Sequence, residues 1–238
     1  RWDLRGARRA DVYLANSTVT QRAIAEAYGI EAEVLPPPPA LMPTGPERAV
    51  GSLEPGFLLC VARLLPYKNV DVIIEAVNSL SDVRLVVVGA GPDWDRLNAI
   101  AGPRVSLLGC VDDEELRWLY RNSVGLVAAS YEDYGLSPLE AGTFGKPSLV
   151  LRAGGYLDTV VEGLNGGFFD SPTPAAIAEG IRDLRSTSWD VAAIVDHVDR
   201  FSSQRFIRRL HEVVSQFVGT PVAVPTQRTP AAAVELVA

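Results

Sequence analysis

Two cationic and two acidic side chains carry most of the chemistry that this sequence offers. Arg63 and Lys68 follow one apolar run of the chain, and Glu132 and Glu140 follow another, which covers residues 124–129. Cations of this kind bind phosphate oxygens, and carboxylates accept hydrogen bonds from hydroxyl groups. The four side chains therefore fit a phosphorylated ligand that also carries sugar or ribose hydroxyls.

The apolar runs of the chain predict the strands that would position these side chains. The predicted strands are 57–62, 84–88, 105–108, 124–129 and 148–151, with a short sixth strand at 168–169. Apolar residues recur at helical spacing between them, and three further helices are predicted at 174–184, 191–198 and 203–218. This alternation indicates an α/β fold with a doubly wound, Rossmann-like parallel sheet, followed by C-terminal helices.

The turns that follow these strands should gather at one edge of the sheet, because the carboxyl ends of parallel strands meet there. Gly89 and Gly91 follow the second strand, and Arg152 with Gly154-Gly155 follows the fifth. Glycines admit a close backbone approach to phosphates, so we predict one ligand pocket at this edge. A dinucleotide fingerprint beginning at Gly89 would need a glycine where Trp94 stands, which disfavours an oxidoreductase.

Residues Ser137 to Glu140 also have a purely structural interpretation. The pattern Ser-Pro-Leu-Glu is a capping box, with Ser137 as the N-cap, Pro138 at the first helical position and Glu140 reaching back to the backbone of Ser137. Glu132 could likewise be a solvated loop acid, since exposed carboxylates are common. The same carboxylate of Glu140 cannot fully satisfy its own helix and a ligand hydroxyl together.

Composition excludes several classes of function. The chain has 238 residues and a net charge of −7, which argues against general nucleic-acid binding. No apolar run approaches the roughly 20 residues of a membrane span. His197 and His211 lie far from other metal ligands, so neither a metal site nor a Ser-His-Asp triad is predicted. Cys60 and Cys110 each end an apolar run, which favours two buried, reduced thiols and a cytoplasmic location.

The N-terminal segment differs in composition from the rest of the chain. It predicts one βα unit, with a strand at 12–15, a helix capped by Ser17 or Thr18 and ended by Gly29, and then the polyproline stretch 36–39. The strand would have an unpaired edge, which is available to pair with a second copy in a homodimer. The predicted parts are 1–39 for this unit and its linker, 40–218 for the main domain, and 219–238 for a mobile Pro/Ala-rich tail.

Several motifs of the main domain occur together in a recognisable order. Glu132 to Glu140 has the spacing E-x7-E in the context Y-G-L-S-P-L-E-A-G. The other motifs are V-A-R-L-x-P-Y-K-N-V at 61–70, V-V-G-A-G-P at 87–92, L-G-C-V-D-D-E-E-L at 108–116 and G-K-P at 145–147. This set, which spans about 57–169, resembles the retaining glycosyltransferases of group 1 (family 4, GT-B fold). The resemblance implies a metal-independent glycosyltransferase whose co-substrate is a GDP- or UDP-sugar, with no other cofactor.

The resemblance also implies a role for each matching residue. Arg63 and Lys68 would bind the donor diphosphate and compensate the charge of the leaving group, while Glu132 would contact hydroxyls of the transferred sugar. The implied donor-binding residues are Gly89, Gly91, Gly135, Leu136, Ser137 and Glu140, with amides at Gly135 and Leu136 and the ribose diol at Glu140. We therefore expect the Glu140 side chain to point into the cleft and Ser137 to cap its helix alone.

Two positions depart from the pattern of this family. Asp133-Tyr134 stands where Gly-Phe is usual, and Asp158 follows Gly154-Gly155 where the family usually has glutamate. These departures affect the expected sugar specificity more than the class of reaction.

The resemblance further implies that the chain supplies only part of an enzyme. GT-B enzymes have two Rossmann-like halves, and the stretch A-D-V-Y-L-A-N-S, from residue 10, resembles the last βα unit of the N-terminal half. The chain would then be the C-terminal, donor-binding half; an absent acceptor-side half would bind an unknown acceptor and mediate any membrane association. The alternatives are a non-catalytic nucleotide-sugar binding or regulatory module, or one subunit of a split transferase.

Overall fold

A computed structural model describes residues 6–218 of the chain, apart from Arg8. The strands are β1 (Leu14–Ala15), β2 (Glu33–Val34), β3 (Phe57–Val61), β4 (Leu85–Val88), β5 (Val105–Gly109), β6 (Ser123–Ala128), β7 (Ser148–Leu151) and β8 (Gly166–Phe169). The helices are α1 (Thr18–Tyr28), α2 (Val70–Asn78), α3 (Trp94–Ile100), α4 (Asp113–Asn122), α5 (Ser137–Thr143), α6 (Tyr156–Thr159), α7 (Pro174–Ser186), α8 (Val191–Asp199) and α9 (Ser203–Val218).

Strands β3 to β8 form one parallel sheet in the order β5-β4-β3-β6-β7-β8. The chain moves outward from β3 to β5, returns to the centre at β6 and then continues outward to β8. This reversal places a topological switch point between β3 and β6, where ligands of open α/β sheets bind. The predicted doubly wound, Rossmann-like sheet is confirmed, and every predicted strand of the main domain is present.

Helices cover both faces of this sheet, which explains why the central strands β3 and β4 are apolar along their whole length. On one face, α2, α3 and α7 pack on residues such as Leu58, Cys60 and Val87. On the other face, Leu119 and Tyr120 of α4 and parts of α5 pack on alternate strand residues. The sheet is therefore buried from both sides, and the edge at the carboxyl ends of its strands is left for a ligand.

The N-terminal βα unit forms largely as predicted. Ser17 caps α1 by accepting a hydrogen bond from the Thr20 amide at 3.1 Å, and Gly29 ends the helix in the left-handed region with φ 64°. The predicted strand at 12–15 is shorter, and it is not isolated, because β1 pairs in parallel with β2 along one edge. Its other edge has no strand partner among the described residues. The homodimer stays a prediction.

Three contacts attach this unit and its linker to the main domain. The Asp158 carboxylate accepts two hydrogen bonds of 2.7 Å, from the amide and the hydroxyl of Thr18. The Tyr134 hydroxyl donates to the Pro37 carbonyl at 2.8 Å, and the guanidinium of Arg209 on α9 pairs with Glu33. The domain boundary near residue 39 remains a prediction.

The three C-terminal helices appear at their predicted positions. Helices α7 and α8 each end one or two residues later than expected. The predicted tail at 219–238 lies outside the described residues. Within residues 6–218, apart from Arg8, no helix combines the length and apolar character needed to span a membrane.

Candidate functional site

A cavity of about 690 Å³ opens at the carboxyl ends of β3, β4 and β6. Eight of the nine predicted site residues line it: Arg63, Lys68, Gly89, Glu132, Gly135, Leu136, Ser137 and Glu140. Gly91 does not. The turns that follow β3, β4 and β6 thus meet at the switch point of the sheet, at the edge where the ligand pocket was predicted.

Lys68 is held at the cavity by the residue that follows it. It ends a short 3₁₀ turn, Pro66–Lys68, and Asn69 then adopts a left-handed conformation with φ 52°, which asparagine tolerates better than most residues. The Asn69 side-chain amide donates to the Ala129 carbonyl at 2.9 Å, just beyond β6. Asn69 therefore positions Lys68. This role was not predicted from the motif P-Y-K-N-V, although asparagine is common in left-handed turns.

The Lys68 ammonium forms an ion pair with the Glu132 carboxylate, and the Ser130 hydroxyl donates to the same carboxylate oxygen. The Lys68 and Glu132 side chains are only 15% and 19% exposed. Ser130 also lies 3.2 Å from the Tyr156 hydroxyl, whose pKa is raised by burial. Glu132 is therefore a partner of the Lys68 cation and of the Ser130 hydroxyl rather than a solvated loop acid. Ser130 and Tyr156 carried no signal in the sequence.

Arg63 offers the second cation of the cavity. Its side chain is exposed, and within the described part of the chain it forms no ion pair. A guanidinium without a carboxylate partner remains available to bind phosphate oxygens through two parallel hydrogen bonds.

Glu140 lies in a more enclosed environment. Burial raises the pKa of its carboxyl, whereas hydrogen bonds from the Tyr120 hydroxyl and from the backbone amides of Leu41 and Ala40 oppose that rise. The Tyr120 hydroxyl lies 2.8 Å from Glu140 Oε2, and the Tyr120 ring is fully buried and stacked on Phe144. Tyr120 thus holds Glu140 at the cavity wall.

The predicted capping box at 137–140 is wrong. The N-cap of α5 is Leu136, no side chain caps the helix, and Ser137 is its first helical residue. The expectation that Ser137 caps α5 alone is wrong as well. Because Glu140 bonds Tyr120 and the backbone of Ala40 and Leu41, it does not reach back to its own helix. The first amides of α5 are consequently left uncapped at the cavity.

The two glycines after β4 have different roles. At Gly89, with φ +132°, a Cβ atom would lie 1.9 Å from the Ala62 carbonyl oxygen, so only glycine fits at this point of the cavity wall. At Gly91, a Cβ atom would lie 2.1 Å from the Leu64 carbonyl oxygen. Gly91 therefore serves close packing between two loops, which corrects its predicted place in the pocket.

The turn after β7 packs against the site, but its cation, Arg152, does not line the cavity. The Gly155 amide donates to the Glu132 carbonyl at 2.7 Å, and Gly154 packs on the same backbone. Arg152, which was grouped with the pocket cations, instead pairs with Glu162 and Asp170 and lies 4.6 Å from the Phe168 ring centroid. Local acidic partners hold it at the edge strand β8.

The two cysteines both border the cavity as free thiols. Cys60 is buried, and burial raises the pKa of its thiol to about 12. Cys110 is exposed, so the prediction of two buried thiols is wrong for this residue. The cytoplasmic location stays a prediction. Among the described residues, no cluster of three or more His, Cys, Asp or Glu side chains could hold a metal ion.

A sequence model of the family described as "Glycosyl transferases group 1" matches residues 47–199, more than half of the chain. The chain therefore belongs to the group 1 glycosyl transferases. The matched segment includes every predicted site residue of this group 1 chain and ends at the last residue of α8.

Several curated glycosyltransferases are similar to this chain, and two of them are described here. It is 31% identical over 171 residues to a D-inositol 3-phosphate glycosyltransferase of Mycobacterium sp. strain KMS, covering 65% of the chain and 39% of that relative. It is also 31% identical over 146 residues to a GDP-mannose-dependent alpha-mannosyltransferase of Corynebacterium glutamicum, covering 59% of the chain and 33% of that relative. The chain thus matches less than half the length of these curated relatives.

A solved structure, Anabaena Alr3699/HepE in complex with UDP and glucose, resembles the chain with a TM-score of 0.72. The likeness covers 91% of this group 1 chain and 67% of that protein at 22% sequence identity. At this identity the likeness shows the fold, which is that of the GT-B glycosyltransferases.

Proposed function

We propose that the chain binds a nucleoside-diphosphate sugar in this cavity and supplies the donor side of a retaining glycosyl transfer. The observation that carries the proposal is the convergence of Arg63, Lys68 and the uncapped amides of 135–137 on one cavity. Two cations and free amides match the charge and the acceptor oxygens of a diphosphate.

The contacts within the cavity suggest how the donor is received. Lys68 is paired with Glu132, so an incoming diphosphate replaces Glu132 as its partner. Glu132 is then released to accept hydrogen bonds from hydroxyls of the transferred sugar. Arg63 and Lys68 stabilise the negative charge that develops on the leaving diphosphate, which lowers the barrier electrostatically.

Glu140 serves the other end of the donor. Its carboxylate, fixed by Tyr120, accepts hydrogen bonds from the ribose diol. The nucleotide is GDP or UDP: one relative is named as dependent on GDP-mannose, and the Anabaena structure contains UDP and glucose. Retention of configuration is inferred from the similarity of the Glu132-to-Glu140 motif to that of retaining group 1 enzymes.

We further infer that an acceptor-side half completes the active cleft. The chain matches only 33% to 39% of the length of the two relatives described above. The chain alone should therefore transfer no sugar to a simple acceptor. Turnover by the purified chain, measured as release of free UDP or GDP in the presence of that acceptor, would contradict this inference.

Calorimetric titration of the chain with GDP and with UDP tests the donor site. We expect one of them to bind, and Lys68→Ala to weaken that binding by about 10- to 100-fold, the range for a hydrogen bond to a charged group. Lys146→Ala is the matched control, because it removes the only other lysine, which does not line the cavity. Absence of binding to both nucleotides would refute the donor site.

A further inference from the structure

Asn16 lines the cavity although it belongs to the N-terminal βα unit. It lies between β1 and α1. In the sequence it precedes the linker, whereas the other polar residues of the cavity follow the linker. Its side-chain oxygen accepts a hydrogen bond of 3.2 Å from the Ser17 hydroxyl. Among the residues that the structure describes, no hydrogen-bond partner of its side-chain NH₂ group is found. Its two N–H donors therefore remain free for a ligand.

A short chain of contacts connects the loop of Asn16 to Glu132. Asp158 accepts two hydrogen bonds of 2.7 Å from Thr18, which lies two residues after Asn16. Asp158 lies on α6, three residues after Gly155, whose amide donates to the Glu132 carbonyl. Glu140, in contrast, is bonded by Tyr120 and by the backbone of Ala40 and Leu41.

We propose that Asn16 is a specificity-determining residue, whose carboxamide hydrogen-bonds hydroxyls of the transferred sugar, and that Asp158 is its positioning residue. The inference rests on the proposed donor function. A carboxamide is neutral and offers both donors and an acceptor, which suits neighbouring sugar hydroxyls, whereas a diphosphate favours cations. Asp158, where the related enzymes usually have glutamate, is fully engaged by Thr18 and acts on the sugar only through Asn16.

Calorimetry on the full chain can separate sugar recognition from nucleotide recognition. The measured quantity is the ratio of two dissociation constants, UDP over UDP-glucose or GDP over GDP-mannose, for whichever nucleotide binds. Asn16→Ala should weaken binding of the nucleotide sugar by about 3- to 10-fold, the worth of one neutral hydrogen bond, and change nucleotide binding by less than about twofold. The control is Asn98→Ala, which makes the same change at an exposed position of α3 outside the cavity.

The positioning role of Asp158 has its own test. Asp158→Ala should lower the same ratio by a smaller factor than Asn16→Ala, because Thr18 loses its anchor but Asn16 keeps its side chain. The double variant should behave as Asn16→Ala alone, since both changes act on one contact. Additive losses in the double variant would overturn the positioning role.

The outcomes distinguish this inference from the proposed function. If neither GDP nor UDP binds to the unaltered chain, the proposed function fails and this inference fails with it. If a nucleotide binds but Asn16→Ala weakens nucleotide and nucleotide sugar equally, or weakens neither, the role of Asn16 is refuted while the donor site stands.

Discussion

The carboxylates of Glu132 and Glu140 line one cavity, Glu132 from the turn after β6 and Glu140 from the first turn of α5. The groups that bind these two carboxylates differ in kind. Glu132 is paired with the Lys68 ammonium and the Ser130 hydroxyl, which belong to turns beside the cavity. Glu140 is bonded to a fully buried tyrosine and to backbone amides, and its pKa is raised by burial.

This difference shows how two neighbouring carboxylates can bind two parts of one ligand. The Lys68 ammonium can exchange its partner, because an incoming phosphate supplies the negative charge that the displaced carboxylate had supplied. A carboxylate held by buried neutral donors cannot be displaced without leaving those donors unsatisfied. Glu132 is thus suited to a group that changes charge during reaction, and Glu140 to a group that only needs to be positioned.

The largest expected effect is on stability. Glu140→Ala leaves the buried Tyr120 hydroxyl and the amides of Leu41 and Ala40 without an acceptor, which should lower the free energy of unfolding by about 1–3 kcal/mol. Glu132→Ala should cost less, because Lys68 lines the cavity and water there can solvate its ammonium. Urea denaturation measures both. Equal losses for the two variants would break the comparison.

The next effect is a pair of opposite changes in nucleotide affinity. Glu132→Gln removes the competitor for Lys68, so the chain should bind sugar-free UDP or GDP roughly three- to tenfold more tightly. Glu140→Gln keeps the size of the side chain but loses the charge that accepts the ribose diol, so affinity should fall. Calorimetry on the two variants checks the signs, and changes in the same direction would contradict the distinction between the two carboxylates.

The smallest effect concerns pH. Since the Glu140 carboxyl has a raised pKa, nucleotide affinity should decline on the acid side earlier than an ordinary carboxylate would allow, as the protonated form accepts fewer hydrogen bonds. Tyr120→Phe removes a bond that lowers this pKa, so the acid decline should move to higher pH. Tyr134→Phe is the control, because its hydroxyl bonds Pro37 and not Glu140.

Dissociation constants for UDP or GDP between about pH 5 and 8 measure this shift. The titration of the ligand itself cancels when variant and unaltered chain are compared at the same pH. An acid decline that is identical in Tyr120→Phe and in the unaltered chain would show that Tyr120 does not tune Glu140.

Two similar capping patterns show what could be predicted from the sequence. Asp112 and Glu115 form the capping box that their spacing predicts on α4. Ser137 and Glu140 have the same spacing, yet their box is absent. The local pattern suffices at Glu115, because its ion pair with Arg48 uses one carboxylate oxygen and leaves the other to the Asp112 amide. It fails at Glu140 because Tyr120, Leu41 and Ala40, which are distant in sequence, bind this side chain.

The same distinction separates the fold from the details of the site. Strands such as β3 and β4 are apolar throughout because both faces are buried, so their positions followed from the sequence alone. The pocket residues followed from strand order and from the motif spacing. Asn16 and Tyr156 did not, because each reaches the cavity through tertiary contacts that no spacing encodes.

The unequal thiols at the cavity also have a practical consequence. The chain contains two cysteines, and only Cys110 is exposed, while Cys60 is buried with a thiol pKa near 12 that keeps it unreactive toward maleimides. A fluorescent maleimide should therefore attach at one place, beside the cavity, without any substitution. Its emission would follow ligand arrival in a stopped-flow instrument and give association rates as well as affinities.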